Sequence, residues 1–286
     1  MAGIGRLGAT LRIQVCGAPA IVSGDLAVRE ADLASRQGRR VWAALVLGRR
    51  GPVSRDALAW AVWGDDEPEA AAATLNALVS RLRKATAPIA LRHPGFALRG
   101  ETGRYQLLLP ADAFIDWERA RDAIHEADRL AFQGDPSAAL AEARVAMEIA
   151  ARGFLPGEDG PWASGRRQEL ADIRARAIER TIDGDLARGR PDLALIEARQ
   201  AIALDPLRES GWGGAMLAAA AAGDAGLAAR LFAECRQTLR RHAGIEPSPE
   251  TAAVWRRIAG RPGPPGQPGP PGPPDLPGRE SRVSPA

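Results

Sequence analysis

The sequence predicts a mainly α-helical chain with a small β component, organised in two parts. Three observations predict it. Residues 11–110 mix short stretches of alternating apolar and polar side chains with three amphipathic helical stretches. Residues 111–260 read as helix throughout and contain an internal repeat. The 286 residues are enough for two domains of ordinary size. Residues 1–10 are expected to be an N-terminal extension, and residues 261–286 a disordered Pro/Gly-rich tail.

The first part opens with LRIQVCG (11–17), whose alternation is that of a half-buried strand. AIVSGDLAV (20–28) places a Ser-Gly-Asp turn between two short apolar pieces, so it reads as a hairpin. SRQGRRVWAALVLGRRG (35–51) has an apolar centre and basic ends. SRDALAWAVWG (54–64) begins with Ser54 as its expected cap and stops at Gly64. PEAAAATLNALVSRLRKAT (68–86) is the longest helical stretch, with Pro68 expected at its first position. IALRH, GFALRG and RYQLLL follow as short strand candidates. A hairpin, three helices and a terminal hairpin suit a winged helix-turn-helix with an extra N-terminal sheet.

In the second part, GDPSAALAEARVAM starts at Gly134, GRPDLALIEARQAI at Gly189 and GDAGLAARLFAECR at Gly223. The last two copies lie 34 residues apart, the period of tetratricopeptide repeats. Each copy has Gly at the turn and a small residue five positions on, Ala139, Ala194 and Ala228, where paired helices must approach. An insert of about 21 residues, containing RGFLPGEDGPWASGRRQEL, separates the first two copies. AGIEPSPE (243–250) is a stop-turn-start signal: Gly244 closes one helix, and Ser248 with Pro249 opens the next. The predicted second domain is therefore an all-α tetratricopeptide-like array.

Composition narrows the function classes. Hydrophobic residues make up 45% and charged residues 26%, as in a soluble globular protein. No apolar run is long enough to span a membrane, and MAGIGRLGATLRIQV lacks the pattern of a signal peptide. Cytoplasm is the expected location. Cys16 and Cys235 are expected as buried thiols rather than a disulfide. Residues 1–110 hold 15 basic and 9 acidic side chains, a net +6, whereas the rest of the chain is net negative. That skew points to a polyanion partner for the first part.

The third helical stretch carries the sharpest signal. Leu75, Leu78, Val79 and Leu82 share one face by their spacing and are expected in the core. Thr74, Asn76, Ala77, Ser80, Arg81, Arg83 and Lys84 lie off it. Arg can donate two hydrogen bonds to guanine and Asn can pair with adenine in the major groove. The same face also fits a solvated surface with cations near a helix C-terminus. The preceding helix and the basic hairpin residues Arg92, His93, Arg99 and Arg104 favour recognition. The acids Asp65, Asp66, Glu67 and Glu69 crowd the start of this helix. They suit a helix N-terminus, but they repel phosphate and so fit a protein-facing loop.

Taken together, AVWGDDEP, NALVSRLRK, GRYQL, GFLPGEDGPWA, DPLRESGW and AGIEPSPE resemble, in order, the SARP-type bacterial transcriptional activators. That family joins a response-regulator-type winged helix to a bacterial transcriptional activation domain. The resemblance covers residues 10–259. It implies a sequence-specific DNA-binding regulator, an activator that binds promoter direct repeats as a homodimer or paired monomers and recruits RNA polymerase. By position it implies DNA contacts from Asn76, Ser80, Arg81, Arg83 and Lys84, to which the helix face and the basic hairpin add Thr74, Arg92 and Arg104 as candidates. It implies polymerase contacts from Asp65, Asp66 and Glu67. Asn76 stands where a longer glutamine is common.

An enzyme reading finds little support. His93, His125 and His242 sit in separate segments without metal-ligand spacing to the cysteines, and no phosphate-binding glycine motif is present. No cofactor or metal is expected. The seven tryptophans, Trp42, Trp60, Trp63, Trp117, Trp162, Trp212 and Trp255, lie amid apolar helix positions and are expected as core anchors. A protein-binding scaffold whose winged helix does not touch DNA is the competing reading, and the salt dependence of binding separates the two.

Overall fold

The computed structural model describes residues 10–33 and 35–260. The expectations for the N-terminal extension and the Pro/Gly tail lie outside the described residues, apart from Thr10. The described chain forms two compact units, the first reaching Ala177 and the second beginning at Ile178.

In the first unit, β1 (Arg12–Gln14), β2 (Ala20–Ser23) and β3 (Leu26–Val28) form the predicted strand and hairpin. A two-residue strand that the alternation did not announce, β7 (Phe114–Ile115), pairs parallel to β1 and completes a sheet of order β3-β2-β1-β7. Three helices follow the hairpin: α1 (Arg36–Leu47), α2 (Arg55–Trp63) and α3 (Ala71–Arg92). Ser35 caps α1 through the Gly38 amide, and Ser54 caps α2 through the Ala57 amide at 3.2 Å. The hairpin β5 (Ala97–Glu101) and β6 (Arg104–Leu108) then forms, and β4 (Val53–Ser54) pairs with β6. This is the winged helix-turn-helix with an added N-terminal sheet.

Two boundaries differ from the sequence reading. IALRH (89–93) is not a strand, because α3 continues through Pro88 to Arg92. Ile89 extends the apolar stripe of Leu75, Leu78, Leu82 and Thr86 and is fully buried. Its burial outweighs the hydrogen bond that Pro88 cannot donate. Pro68 is not the first helical residue either. A turn comes first, with the Ala71 amide donating to the Pro68 carbonyl, and α3 begins at Ala71 with no side-chain cap. Among the tryptophans, Trp42, Trp117, Trp162, Trp212 and Trp255 are core residues, Trp63 is half-buried, and Trp60 is 46% exposed. Trp60 is thus not an anchor: it falls on the outer side of α2, opposite the buried Leu58, Ala59, Ala61 and Val62.

The first unit continues into α4 (Asp116–Phe132), α5 (Pro136–Ala150) and the start of α6 (Pro161–Ala187). One hydrophobic core runs from Leu11 to Ala177, so the winged helix and the α4–α5 hairpin share an interior. The second unit stacks α7 (Pro191–Leu204), α8 (Glu209–Ala221), α9 (Ala225–Ala243) and α10 (Pro249–Ala259). The repeat signature is realised in detail. Gly134, Gly189 and Gly223 all have positive φ, between 67° and 82°, which a side chain would strain. Ala139, Ala194 and Ala228 are fully buried. In AGIEPSPE, Gly244 is left-handed, Ser248 accepts from the Thr251 amide, and Glu209 of α8 accepts from both the amide and the hydroxyl of Ser248. Both cysteines are free and buried, and burial pushes the Cys235 thiol up to about 12. Among the described residues, no helix is long and apolar enough to cross a membrane.

The buried alanine of each repeat sets how closely its helices approach. Ala194→Leu is expected to lower the unfolding free energy by about 1–3 kcal/mol through overpacking. The same change at exposed Ala203 is expected to leave stability within about 0.5 kcal/mol. Urea denaturation of both variants checks the contrast.

Candidate nucleic-acid interface

The interface is built around α3. Its buried residues, Ala71, Leu75, Leu78, Val79, Leu82, Thr86 and Ile89, occupy one stripe. At about 100° per residue the opposite stripe holds Ala73, Ala77, Ser80, Lys84 and Leu91, all exposed. Arg81 lies on the edge of that stripe towards the N-terminal sheet. There Arg81 and Lys84 line a groove with Leu26 and Asp32. Thr74 is half-buried on the same edge.

The other edge faces the wing. The Tyr105 hydroxyl donates to Asn76 Oδ1 at 2.6 Å, and Arg83 Nε donates to the Leu98 carbonyl at 2.9 Å. Gly100 makes room for this: a Cβ there would fall 2.8 Å from Arg83 Nη2. On the wing, Tyr105, Leu107 and Leu98 point inward, while Arg99 and Arg104 are exposed on the outer face. Arg92 lies at the far end of α3, where Nη1 donates to the Ser23 carbonyl at 2.8 Å and to Asp25 Oδ1 at 2.6 Å. That bond holds the Asp25 carboxyl below its usual range. His93 pairs with the Ser23 hydroxyl at 2.7 Å. The structure therefore separates the candidates. Ser80 and Lys84 share the outward side of α3, Arg81 flanks it on the edge towards the N-terminal sheet, Asn76 and Arg83 meet the wing on the other edge, and Arg92 meets the β2–β3 turn. Asp65, Asp66 and Glu67 are exposed in the loop between α2 and α3, with Gly64 ending α2.

The first domain's positive charge divides in the same way. Glu158, in the insert before α6, is 2% exposed yet faces three arginines of α1. Arg39 Nη2 approaches its Oε1 at 2.6 Å, Arg40 Nε its Oε2 at 3.0 Å, and Arg36 Nε its Oε2 at 3.5 Å. Arg40 Nη1 also donates to the Val62 carbonyl near the end of α2 at 2.6 Å. Phe154, from the same insert, sits edge-on between Trp117 and Trp162 at 5.3 and 5.5 Å. Arg49 forms a two-point pair with Glu118 of α4, at 2.9 and 2.7 Å. Arg36, Arg39, Arg40, Arg49 and Arg92 are thus matched by carboxylates. Of the described residues in this domain, Arg12, Arg29, Arg50, Arg55, Arg81, Arg83, Lys84, Arg99 and Arg104 are exposed and hold no salt bridge, and Arg55, Arg81, Lys84, Arg99 and Arg104 fall on α2, α3 and the wing.

Arg55 is an exposed cation that the sequence reading did not single out. It opens α2, its amide donates to the Gly103 carbonyl at the wing turn, and its guanidinium lies beside that glycine. A signal was present: a cation in the first turn opposes the helix dipole, and Arg55 stands there. Asp116, 1% exposed, accepts from the Val15, Cys16 and Trp117 amides and joins β1 to α4. Burial raises its carboxyl, and the three amides oppose that rise. Among the described residues, no group of His, Cys, Asp and Glu could hold a metal ion.

Comparisons with known proteins follow the same architecture. The family model described as the bacterial transcriptional activator domain matches residues 115–259. The chain is 31% identical over 224 residues to Regulatory protein AfsR of Streptomyces coelicolor, spanning 78% of this chain and 22% of that protein. It is 24% identical over 242 residues to Transcriptional regulatory protein MoaR1 of Mycobacterium bovis, covering 79% and 73% of the two chains. The chain thus spans about a fifth of AfsR and most of MoaR1. Among solved structures, Mycobacterium tuberculosis EmbR in complex with a low-affinity phosphopeptide aligns with a TM-score of 0.74. The identity is 22%, covering 87% of this chain and 65% of that one, a likeness of fold.

Two outcomes follow from these ion pairs. Glu158→Gln leaves three guanidinium groups around a neutral amide and is expected to cost about 3 kcal/mol in denaturant unfolding. The Arg49 bond lowers the Glu118 carboxyl below its usual range. A lowered folded-state value means the pair contributes above the unfolded pKa and is lost as pH falls through the folded one. Glu118→Gln is therefore expected to destabilise at neutral pH, and its deficit against the parent to shrink as pH falls below the ordinary carboxylate range, read by urea midpoints across a pH series.

Proposed function

The chain belongs to the bacterial transcriptional activator domain family, in its SARP-type form, and from that premise we propose that it is a sequence-specific DNA-binding transcriptional regulator. The observation that carries this reading is the distribution of unpaired charge. Buried or half-buried carboxylates neutralise the arginines of α1, whereas Ser80, Arg81 and Lys84 on α3, Arg55 on α2, and Arg99 and Arg104 on the wing stay exposed. An α-helix fits the major groove, and a hairpin beside it reaches the adjacent backbone. We place the DNA-binding domain at residues 11–110 and the activation domain at 111–260, in the cytoplasm.

In this reading the protein activates transcription. It binds promoter direct repeats, as a homodimer or paired monomers, and Asp65, Asp66 and Glu67 face RNA polymerase. Those acids support the assignment because they are exposed in the loop before α3 and repel phosphate. AfsR and MoaR1 are named as regulatory proteins, and MoaR1 as a transcriptional one, which supports the same reading.

The direct experiment is recovery of fragmented DNA from the source genome on purified protein, at low and moderate salt. A few enriched sites sharing a direct repeat establish the reading. Uniform, salt-labile recovery reduces it to phosphate binding, and no recovery at low salt supports a protein-binding scaffold instead. On an enriched site, Arg81→Ala with Lys84→Ala is expected to weaken binding. If both side chains meet phosphate, the slope of log affinity against log salt falls by about 2. Neutralising Asp65, Asp66 and Glu67 together is expected to leave DNA affinity unchanged and to lower promoter output in a purified transcription assay. Unchanged output would refute the polymerase assignment.

A further inference from the structure

We infer that Asn76 and Arg83 are positioning residues that seat the wing on the recognition helix, and that base reading belongs to the strip Ala73, Ala77, Ser80, Arg81 and Lys84. The inference rests on the DNA-binding reading above and divides its labour among side chains.

Three observations carry it. Asn76 and Arg83 are seven residues apart, so they share one edge of α3, about 100° and 80° from the buried stripe. Both are engaged by the wing on that edge. Asn76 Oδ1 accepts from the Tyr105 hydroxyl at 2.6 Å, and Arg83 Nε donates to the Leu98 carbonyl at 2.9 Å. The wing is also shaped for this contact. Tyr105 is buried, and Gly100, directly opposite it in the β5–β6 register, leaves room for Arg83 Nη2, which a Cβ would crowd at 2.8 Å.

The chemistry points the same way. Reading adenine with asparagine uses the amide oxygen and nitrogen together, and reading guanine with arginine uses two guanidinium donors together. Here the tyrosine engages the Asn76 oxygen, and the Arg83 guanidinium is turned along the wing backbone. The outward strip is different. Ser80, Arg81 and Lys84 are exposed and hold no hydrogen bond or salt bridge among the described residues. Ala73 and Ala77 are small enough to let the helix backbone approach base edges, and an alanine methyl can meet a thymine methyl. The wing, held by Asn76 and Arg83, then presents Arg99 and Arg104 at a fixed distance from that strip.

A base reader and a positioning residue differ in what their loss does to sequence preference. The test selects bound duplexes from a randomised pool with the parent, Asn76→Ala, Tyr105→Phe and the double variant, with thermal melts confirming that each is folded. Asn76→Ala and Tyr105→Phe are expected to weaken binding about tenfold across all selected sequences. Their selected motifs should be the same, and the double variant should be no weaker than either single one. Ser80→Ala and Arg81→Ala are expected to change the selected motif. Gly100→Ala disturbs the same seat from the wing side, without altering α3, and is expected to give the uniform loss as well. Should Asn76→Ala relax one base position that Tyr105→Phe leaves intact, or should the losses add, the inference is overturned while the DNA reading stands. If the parent retains no duplex at low salt, the DNA reading falls, and this inference falls with it.

Discussion

The arrangement of the first unit depends on one buried carboxylate. Glu158 lies in a Gly- and Pro-rich insert about 120 residues beyond α1, and it gathers Arg36, Arg39 and Arg40 from a single helix. A charge buried alone would cost several kcal/mol, so it persists only where counter-charges meet it. That requirement fixes the insert against α1. Arg40 carries the constraint onward through the Val62 carbonyl to the end of α2, immediately before the acidic loop and α3. Phe154, edge-on to both Trp117 and Trp162, supplies the apolar half of the same junction. Elements that would face DNA are held in place by a residue of the helical domain.

This also explains why net charge alone does not locate the unpaired cations. The first domain's excess of arginine is large, but α1 contributes much of it, and those side chains answer Glu158 and Glu30. Arg49 answers Glu118, and Arg92 answers Asp25. Among the described cations left facing solvent, Arg81 and Lys84 on α3, Arg55 at the start of α2, and Arg99 and Arg104 on the wing lie where a phosphate backbone passing the helix would meet them in turn, while Arg12, Arg29 and Arg50 are exposed elsewhere on the domain. Arginine suits both uses, since its planar fork pairs with a carboxylate inside the fold and with phosphate outside it.

The repeat unit is simpler, because most of its contacts are made between successive helices. Positive-φ glycines turn the chain, and fully buried alanines let the helices close. The AGIEPSPE turn is more than punctuation. Glu209 at the start of α8 receives the amide and hydroxyl of Ser248, which in turn caps α10, and Trp255 then stacks on Phe232 at 5.5 Å. The final helix is therefore seated by a hydrogen bond spanning 39 residues as well as by its own cap.

By itself the sequence determined whatever depends on local spacing. The apolar stripe of α3, the Ser54 and Ser248 caps, the hairpin around Gly24 and the 34-residue repeat all repeat at helix, strand or turn periods, and all are present. Tertiary structure decided what depends on distant partners. Ile89 carried α3 through Pro88 because the core had a place for it. Trp60 faced solvent because α2 buries its other side. Asn76, Arg81 and Arg83 are near neighbours of similar chemistry in sequence, but α3 rotates about 100° per residue, so the wing meets two of them and leaves the third free. Periodicity says which side chains lie off the core, and only the packed neighbours decide which of those are already engaged.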